Sequence, residues 1–143
     1  MSENMVSNYY KGAIFGSVVG GILLLAFDFA GWNSSNYYLG VFSYGWIWID
    51  SPSGFLALGT FAALLFYVAY QSYNGTKGTL DDQKLDQIYK ISRGTFVAIL
   101  ACGLLFIIII SFEDVWWWLD TGFYGGAIGS GIATYCLRMI KNQ

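Results

Sequence analysis

Residues Arg93 to Trp118 read RGTFVAILACGLLFIIIISFEDVWWW. A cation stands at one end, an unbroken apolar run from Gly94 to Phe112 fills the middle, and two carboxylates and three tryptophans stand at the other. About 20 apolar residues cross roughly 30 Å of hydrocarbon. Inside lipid every backbone polar group needs an internal partner, which a helix supplies. The continuous run Ile107 to Ile110 lacks the in–out alternation of a membrane β-strand. Cations near span ends are retained on the cytoplasmic face, and Trp settles at the membrane–water boundary. This segment therefore predicts a membrane helix that enters from the cytoplasm and leaves at Phe112.

Three further apolar stretches repeat the pattern: Gly12–Phe29, Phe55–Tyr70 and Gly122–Leu137. All seven Lys and Arg fall on one side of the resulting map: Lys11, then Lys77, Lys84, Lys90 and Arg93, then Arg138 and Lys141. All six Trp fall on the other: Trp32, Trp46 and Trp48 in the first outer segment, and Trp116, Trp117 and Trp118 in the second. Both signals place the N- and C-termini in the cytoplasm, with the plasma membrane as the expected location. Only 11% of the 143 residues are charged and 56% are hydrophobic, with a mean hydropathy of +0.51. A soluble domain runs nearer 25% charged. The expected fold is an all-α membrane protein, a single four-transmembrane-helix bundle with the lipid bilayer as its solvent.

The first apolar stretch continues into Asp28, Phe29 and Trp32. No small-residue cleavage site follows, so it reads as a mature helix and not a secretory signal. Tyr9, Tyr10, Tyr67, Tyr70 and Tyr73 are expected to form an inner aromatic belt. In the cytoplasmic connection, Asn74-Gly75-Thr76-Lys77-Gly78 has turn composition. Thr79 with Asp82 resembles a capping box. Leu85, Ile88 and Tyr89 recur at helical spacing, and Asp86 with Lys90 forms an i, i+4 ion pair. Helix three is thus predicted to start near Leu80 and run unbroken into the membrane, about 50 Å in all.

The first outer segment, Ala30 to Gly54, is rich in aromatic and β-branched residues broken by Gly40 and Gly45. A short β-hairpin capping the outer ends of the helices, with a turn or bulge at Ser43-Tyr44-Gly45, is the preferred reading, and an aromatic loop in the headgroup region the other. Glu113 to Thr121 reads as short and tightly turned.

Glycine spacing carries the clearest packing signal. Gly12, Gly16 and Gly20 recur every fourth residue on the first span, and Gly122, Gly126 and Ser130 on the fourth, with Gly125 and Gly129 beside them. Stacked small residues let helix backbones approach closely. Pairing of spans one and four within one bundle is the favoured reading, and an interface between subunits the other. Asp28, near the outer end of span one, is a candidate ion-interacting carboxylate; a hydrated interfacial carboxylate is the commoner arrangement. With Asp50, Glu113, Asp114 and Asp120 it makes the outer face acidic. Cys102 and Cys136 read as small packing residues. Asn33-Ser34-Ser35 is a glycosylation pattern on the outer side.

The chain has no His, which removes His-ligated metals and Ser–His or Cys–His nucleophile systems. No phosphate-binding Gly loop is present, and the single Pro, Pro52, leaves every span without a proline break. A net charge of -2 argues against a nucleic-acid partner. Catalysis, cofactors and metals are therefore not expected.

The layout, with Trp32 early in an aromatic first outer segment and Gly45-Trp46 or Trp48 later in it, resembles the claudin and peripheral-myelin-protein group of tetraspan proteins. The paired loop cysteines of that group are missing, so the likeness is one of architecture. It implies strands in the first outer segment and a role in membrane adhesion or assembly. The expected function is association, as an accessory subunit of a membrane complex or a self-assembling homo-oligomer. The alternative is a small oligomeric channel or transporter subunit with an acidic outer vestibule.

Overall fold

The computed structural model describes the backbone of residues 3–36, 41–47, 52–112 and 115–142; side chains of residues 3, 34–36, 41–47 and 52–55 are outside the description. The elements run α1 (Glu3–Ala26), β1 (Ala30–Asn36), β2 (Val41–Ile47), α2 (Pro52–Thr76), α3 (Asp82–Ile110), β3 (Trp116–Leu119) and α4 (Thr121–Lys141). Segments of α1, α2 and α3 are long and apolar enough to cross a membrane: Asn4–Ala26, Leu56–Thr76 and Asp82–Ile110. The fourth helix falls outside that group. Its sequence explains why: five glycines, together with Thr121, Tyr124, Ser130, Thr134, Tyr135 and Arg138, lower its mean hydropathy.

The helices form an antiparallel ring. α4 packs most extensively on α1, α2 packs on the other side of α1, and α3 packs on α4 and closes onto α2. Along the α1–α4 contact, Gly12 meets Cys136 and Gly122 meets Asp28, so the two helices run in opposite directions. Both termini and the α2–α3 connection therefore share one end of the bundle, and the sheet occupies the other.

The interior and exterior are arranged as lipid requires. Phe112, Leu56 and Ile109 are 86%, 68% and 66% exposed, whereas Ser17, Ser92 and Ser130 are fully buried. The interior is mainly apolar as well, so the exterior is the informative part, because soluble proteins rarely expose large contiguous apolar surface. One apolar cluster, with Leu24, Leu65, Ile99 and Phe123, fills the sheet end. A second, with Ala13, Val68, Ile88 and Leu137, fills the end near the termini.

Several expectations need correction. α1 starts ahead of Gly12 and ends at Ala26, so the last part of the predicted span is not helical. The side chain of Phe29 turns inward, where it is buried against Phe123 with centroids 5.4 Å apart in an edge-to-face contact. Asn74, Gly75 and Thr76 are helical, and the chain turns only at Gly78, whose φ of 71° suits glycine. Tyr10 explains the longer helix: its ring occupies the space a side chain at position 75 would need, and is buried there instead of joining a lipid-facing belt. The α3 cap is Asp81, not Thr79; the Asp81 carboxylate accepts the Lys84 N–H at 2.7 Å. The Thr79 hydroxyl donates to the Asn74 carbonyl at 2.9 Å. α3 itself runs unbroken for 29 residues, about 44 Å at 1.5 Å per residue.

The hairpin is present, but Ser43, Tyr44 and Gly45 lie inside β2, paired with Ser34, Asn33 and Trp32. The connection through Tyr37, Tyr38 and Gly40 lies outside the described residues. The second outer segment does more than turn. Its tryptophans form β3, which adds to β1 and gives an antiparallel sheet in the order β2-β1-β3.

Candidate functional site

The six small residues singled out on spans one and four lie inside this one chain. A Cβ added to Gly16 would fall 2.6 Å from the Gly129 carbonyl oxygen, and one added to Gly20 would fall 3.2 Å from the Gly129 Cα. At Gly12 it would meet the Cys136 sulfur at 2.8 Å, at Gly126 the Leu24 side chain at 2.7 Å, and at Gly122 the Asp28 carbonyl at 2.7 Å. Real Cβ atoms essentially never come within 3.0 Å of such neighbours, and the 3.2 Å at Gly20 is tight, so α1 and α4 approach this closely because these side chains are absent. Gly129 is the centre of the seam. Ser130 is fully buried next to it, and its hydroxyl donates to the Gly126 carbonyl at 2.6 Å.

At the opposite end of the bundle from the termini, β1 and β3 place Trp32 opposite Trp117 and Gly31 opposite Trp118. The Trp118 indole lies over Gly31, where a Cβ would fall 2.6 Å from the ring. Its N–H donates to Asp120 at 3.3 Å. Asp120 also caps α4, accepting the Thr121 N–H at 2.6 Å. Phe106 of α3 lies beneath the sheet, with ring centroids 6.3 Å from Trp32 and 6.5 Å from Trp117. Trp116 is different, being 83% exposed. The Trp46 side chain and all of Trp48, Asp50, Glu113 and Asp114 lie outside the described residues. Asp28 is half-buried between α1 and β1, and its carbonyl accepts the Gly122 N–H at 2.9 Å. It sits at the joint between helix and sheet.

The bundle interior carries a set of hydroxyls that the apolar pattern of the sequence conceals. Ser92 of α3 and Thr134 of α4 share a hydrogen bond of 2.9 Å, and Thr134 also donates to the Ser130 carbonyl at 2.8 Å. Ser17, Ser72 and Thr95 are buried with hydroxyl oxygens that have no partner. Their sequence signal is the presence of Ser or Thr on the same helical face as Gly and Ala.

At the end near the termini, Asp86 ties α3 to α4. It pairs with Lys141 across the two helices and with Lys90 at 2.6 Å on its own. Asp86 lies on the polar first turns of α3, ahead of the apolar run that starts at Gly94. Hydrogen bonds from Lys141 first, then Lys90, hold its carboxyl below the usual carboxylate range. Lys141 also lies over the Tyr89 ring, 5.2 Å from its centroid.

These features describe a helical bundle joined through a glycine seam, with a tryptophan-bearing sheet at one end and a cationic surface at the other. Comparisons of the chain with protein families, curated proteins and solved structures found no match.

Proposed function

We propose that this chain is a non-catalytic integral membrane protein that crosses the bilayer four times and works by association through its outer sheet. α4 serves as the fourth span in this reading. It has 21 residues, about 31 Å of helix, and it is shielded from lipid along much of its length by α1 and α3, so it needs less apolar surface of its own. The cation and Trp distribution supports cytoplasmic termini and a sheet on the outer side of the cell membrane.

The observation that carries the association reading is the placement of Trp116. Its neighbours Trp117 and Trp118 are held by Phe106, Gly31 and Asp120, so β3 presents Trp116 from a fixed platform while the indole itself is 83% exposed. Rigid, exposed Trp side chains supply much of the energy of protein interfaces. β3 is also an edge strand, whose free backbone groups can pair with another chain. The glycine seam is already filled by α1 and α4, which leaves the sheet as the better surface for a partner subunit or a second copy.

The test is purification from the native membrane in mild detergent, comparing wild type with Trp116→Ser by native mass spectrometry. Retention of a companion subunit or of a homo-oligomer by wild type, and its loss in the variant with an unchanged melting temperature, supports the reading. A lone monomer for both proteins would contradict it and leave Trp116 as a lipid anchor.

A further inference from the structure

We propose that a groove between α3 and α4, at the end near the termini, binds one anionic phospholipid from the inner leaflet, with its phosphate held by Arg93 and Arg138. The proposal rests on the membrane reading above and is independent of association through Trp116. A cavity of about 660 Å³ opens there, lined by Tyr89, Arg93, Phe96, Gly131, Tyr135 and Arg138 among others.

Position and pairing together single out these two arginines: Lys11, exposed on α1, and Lys77 also make no ion pair among the described residues, but neither lines this groove. Lys84 is paired with Asp81, and Lys90 and Lys141 with Asp86. Lys77 lies 4.3 Å from the centre of the Tyr73 ring. Among the described residues Arg93 and Arg138 have no ion pair, and both are exposed. They come from facing helices. Ser92, next to Arg93, bonds Thr134, and Arg138 follows Thr134 by one helical turn, about 6 Å of rise. Both arginines line the same groove, and in the proposed complex their planar donor forks close on one phosphate.

The groove changes character along its length, and that selects a lipid over a free anion. Toward the membrane centre its walls become Phe96, Val97 and Gly131. Gly131 forms a shallow notch, since a Cβ there would lie 3.3 Å from the Phe96 ring. Beyond the notch α3 and α4 present exposed Leu100, Leu104 and Ile128, apolar surface for an acyl chain. A charged mouth at headgroup depth opening onto apolar surface matches the two halves of a phospholipid, and basic pockets between spans at this depth take anionic headgroups.

The test uses the full chain in detergent, with lipid binding followed by native mass spectrometry. Phosphatidylglycerol is compared with phosphatidylcholine of the same acyl chains, and inorganic phosphate is the competitor. Wild type is expected to bind one phosphatidylglycerol about tenfold more tightly than phosphatidylcholine, and Arg93→Gln or Arg138→Gln to lose that preference. Lys77→Gln, at the same end but outside the groove, is expected to retain it. Equal binding of the two lipids, an unchanged preference in both arginine variants, or an equal loss in Lys77→Gln would overturn the proposal. Displacement of the lipid by millimolar phosphate would overturn it in favour of a free-anion site. Wild type that stays monodisperse without detergent would remove the membrane reading itself, an outcome distinct from loss of lipid preference in a detergent-dependent protein.

Discussion

Gly16 and Gly129 meet backbone to backbone, and neither position has room for even one methyl group. The contact is reciprocal: a Cβ on Gly129 would strike the Gly16 carbonyl, and one on Gly16 would lie 2.6 Å from the Gly129 carbonyl. Because the obstructing atoms are backbone, no side-chain rotation can relieve either clash.

The first prediction follows from that rigidity. Gly129→Ala forces α1 and α4 apart and should cost about 1–3 kcal/mol, the usual range for overpacking; Gly16→Leu and Gly126→Leu should cost more. Gly59 and Gly94, whose added Cβ would meet nothing within 4 Å, are the controls. Alanine at either should be neutral or stabilising by up to about 1 kcal/mol. Thermal melting in detergent distinguishes the two classes, and equal effects at Gly59 and Gly129 would refute the seam.

A second contrast concerns the buried hydroxyls. Thr134→Val removes the nearer partner of Ser92, leaving the Ser130 carbonyl at 3.4 Å, and should destabilise by about 0.6 kcal/mol, the average for hydrogen bonds between membrane helices. Ser17→Ala and Ser72→Ala delete hydroxyls with no partner. They should be neutral or stabilising, because an unmet polar group is removed from the interior. Chemical denaturation of the three variants tests this, and a large loss at Ser17 would show that its hydroxyl has a partner.

Phe106 links α3 to the sheet through both Trp32 and Trp117. Phe106→Ala should therefore cost about 3–5 kcal/mol and make the tryptophans more accessible to an aqueous fluorescence quencher. A lower melting temperature with unchanged quenching would separate Phe106 from the sheet.

The pH dependence of the Asp86 tie has a defined sign. Lysine partners lower the folded-state pKa of this carboxyl, so its contribution is present above the unfolded value, about 3.9, and is lost as the pH falls through the lower folded value. The difference in melting temperature between wild type and Asp86→Asn should stay constant from neutral pH to about 5 and vanish in stronger acid. It should also shrink with added salt, because Asp86 is partly exposed and both lysines are exposed. A difference that grows on acidification would contradict the pairing.

The helices are legible in the sequence because lipid imposes long uniform runs; Gly94 to Phe112 needs no tertiary information to be read. The length of α3 is legible for a related reason, since Leu85, Ile88 and Tyr89 carry helical spacing up to the apolar run. What local pattern misses is decided by distant contacts. Asn74-Gly75-Thr76 has turn composition, yet the Tyr10 ring fills the space at Gly75 and the helix continues. Trp116, Trp117 and Trp118 suit a membrane interface and a strand equally, and only pairing with β1 selects the strand. The period of the glycines is visible in the chain, but their partner helix is a property of the packed bundle. Arg93 and Arg138 illustrate the same limit: in the sequence they read only as charges flanking apolar runs, while the groove between them exists only once α3 and α4 are side by side.

Thiol accessibility in intact cells and in permeabilised cells tests the four-crossing arrangement most directly, using single cysteines introduced at Trp116, Lys77 and Asn142 in a background lacking Cys102 and Cys136. An impermeant reagent should label Trp116→Cys in intact cells, and Lys77→Cys and Asn142→Cys only after permeabilisation. Labelling of Asn142→Cys in intact cells would show that α4 does not cross, and labelling of Lys77→Cys there would contradict the topology as a whole.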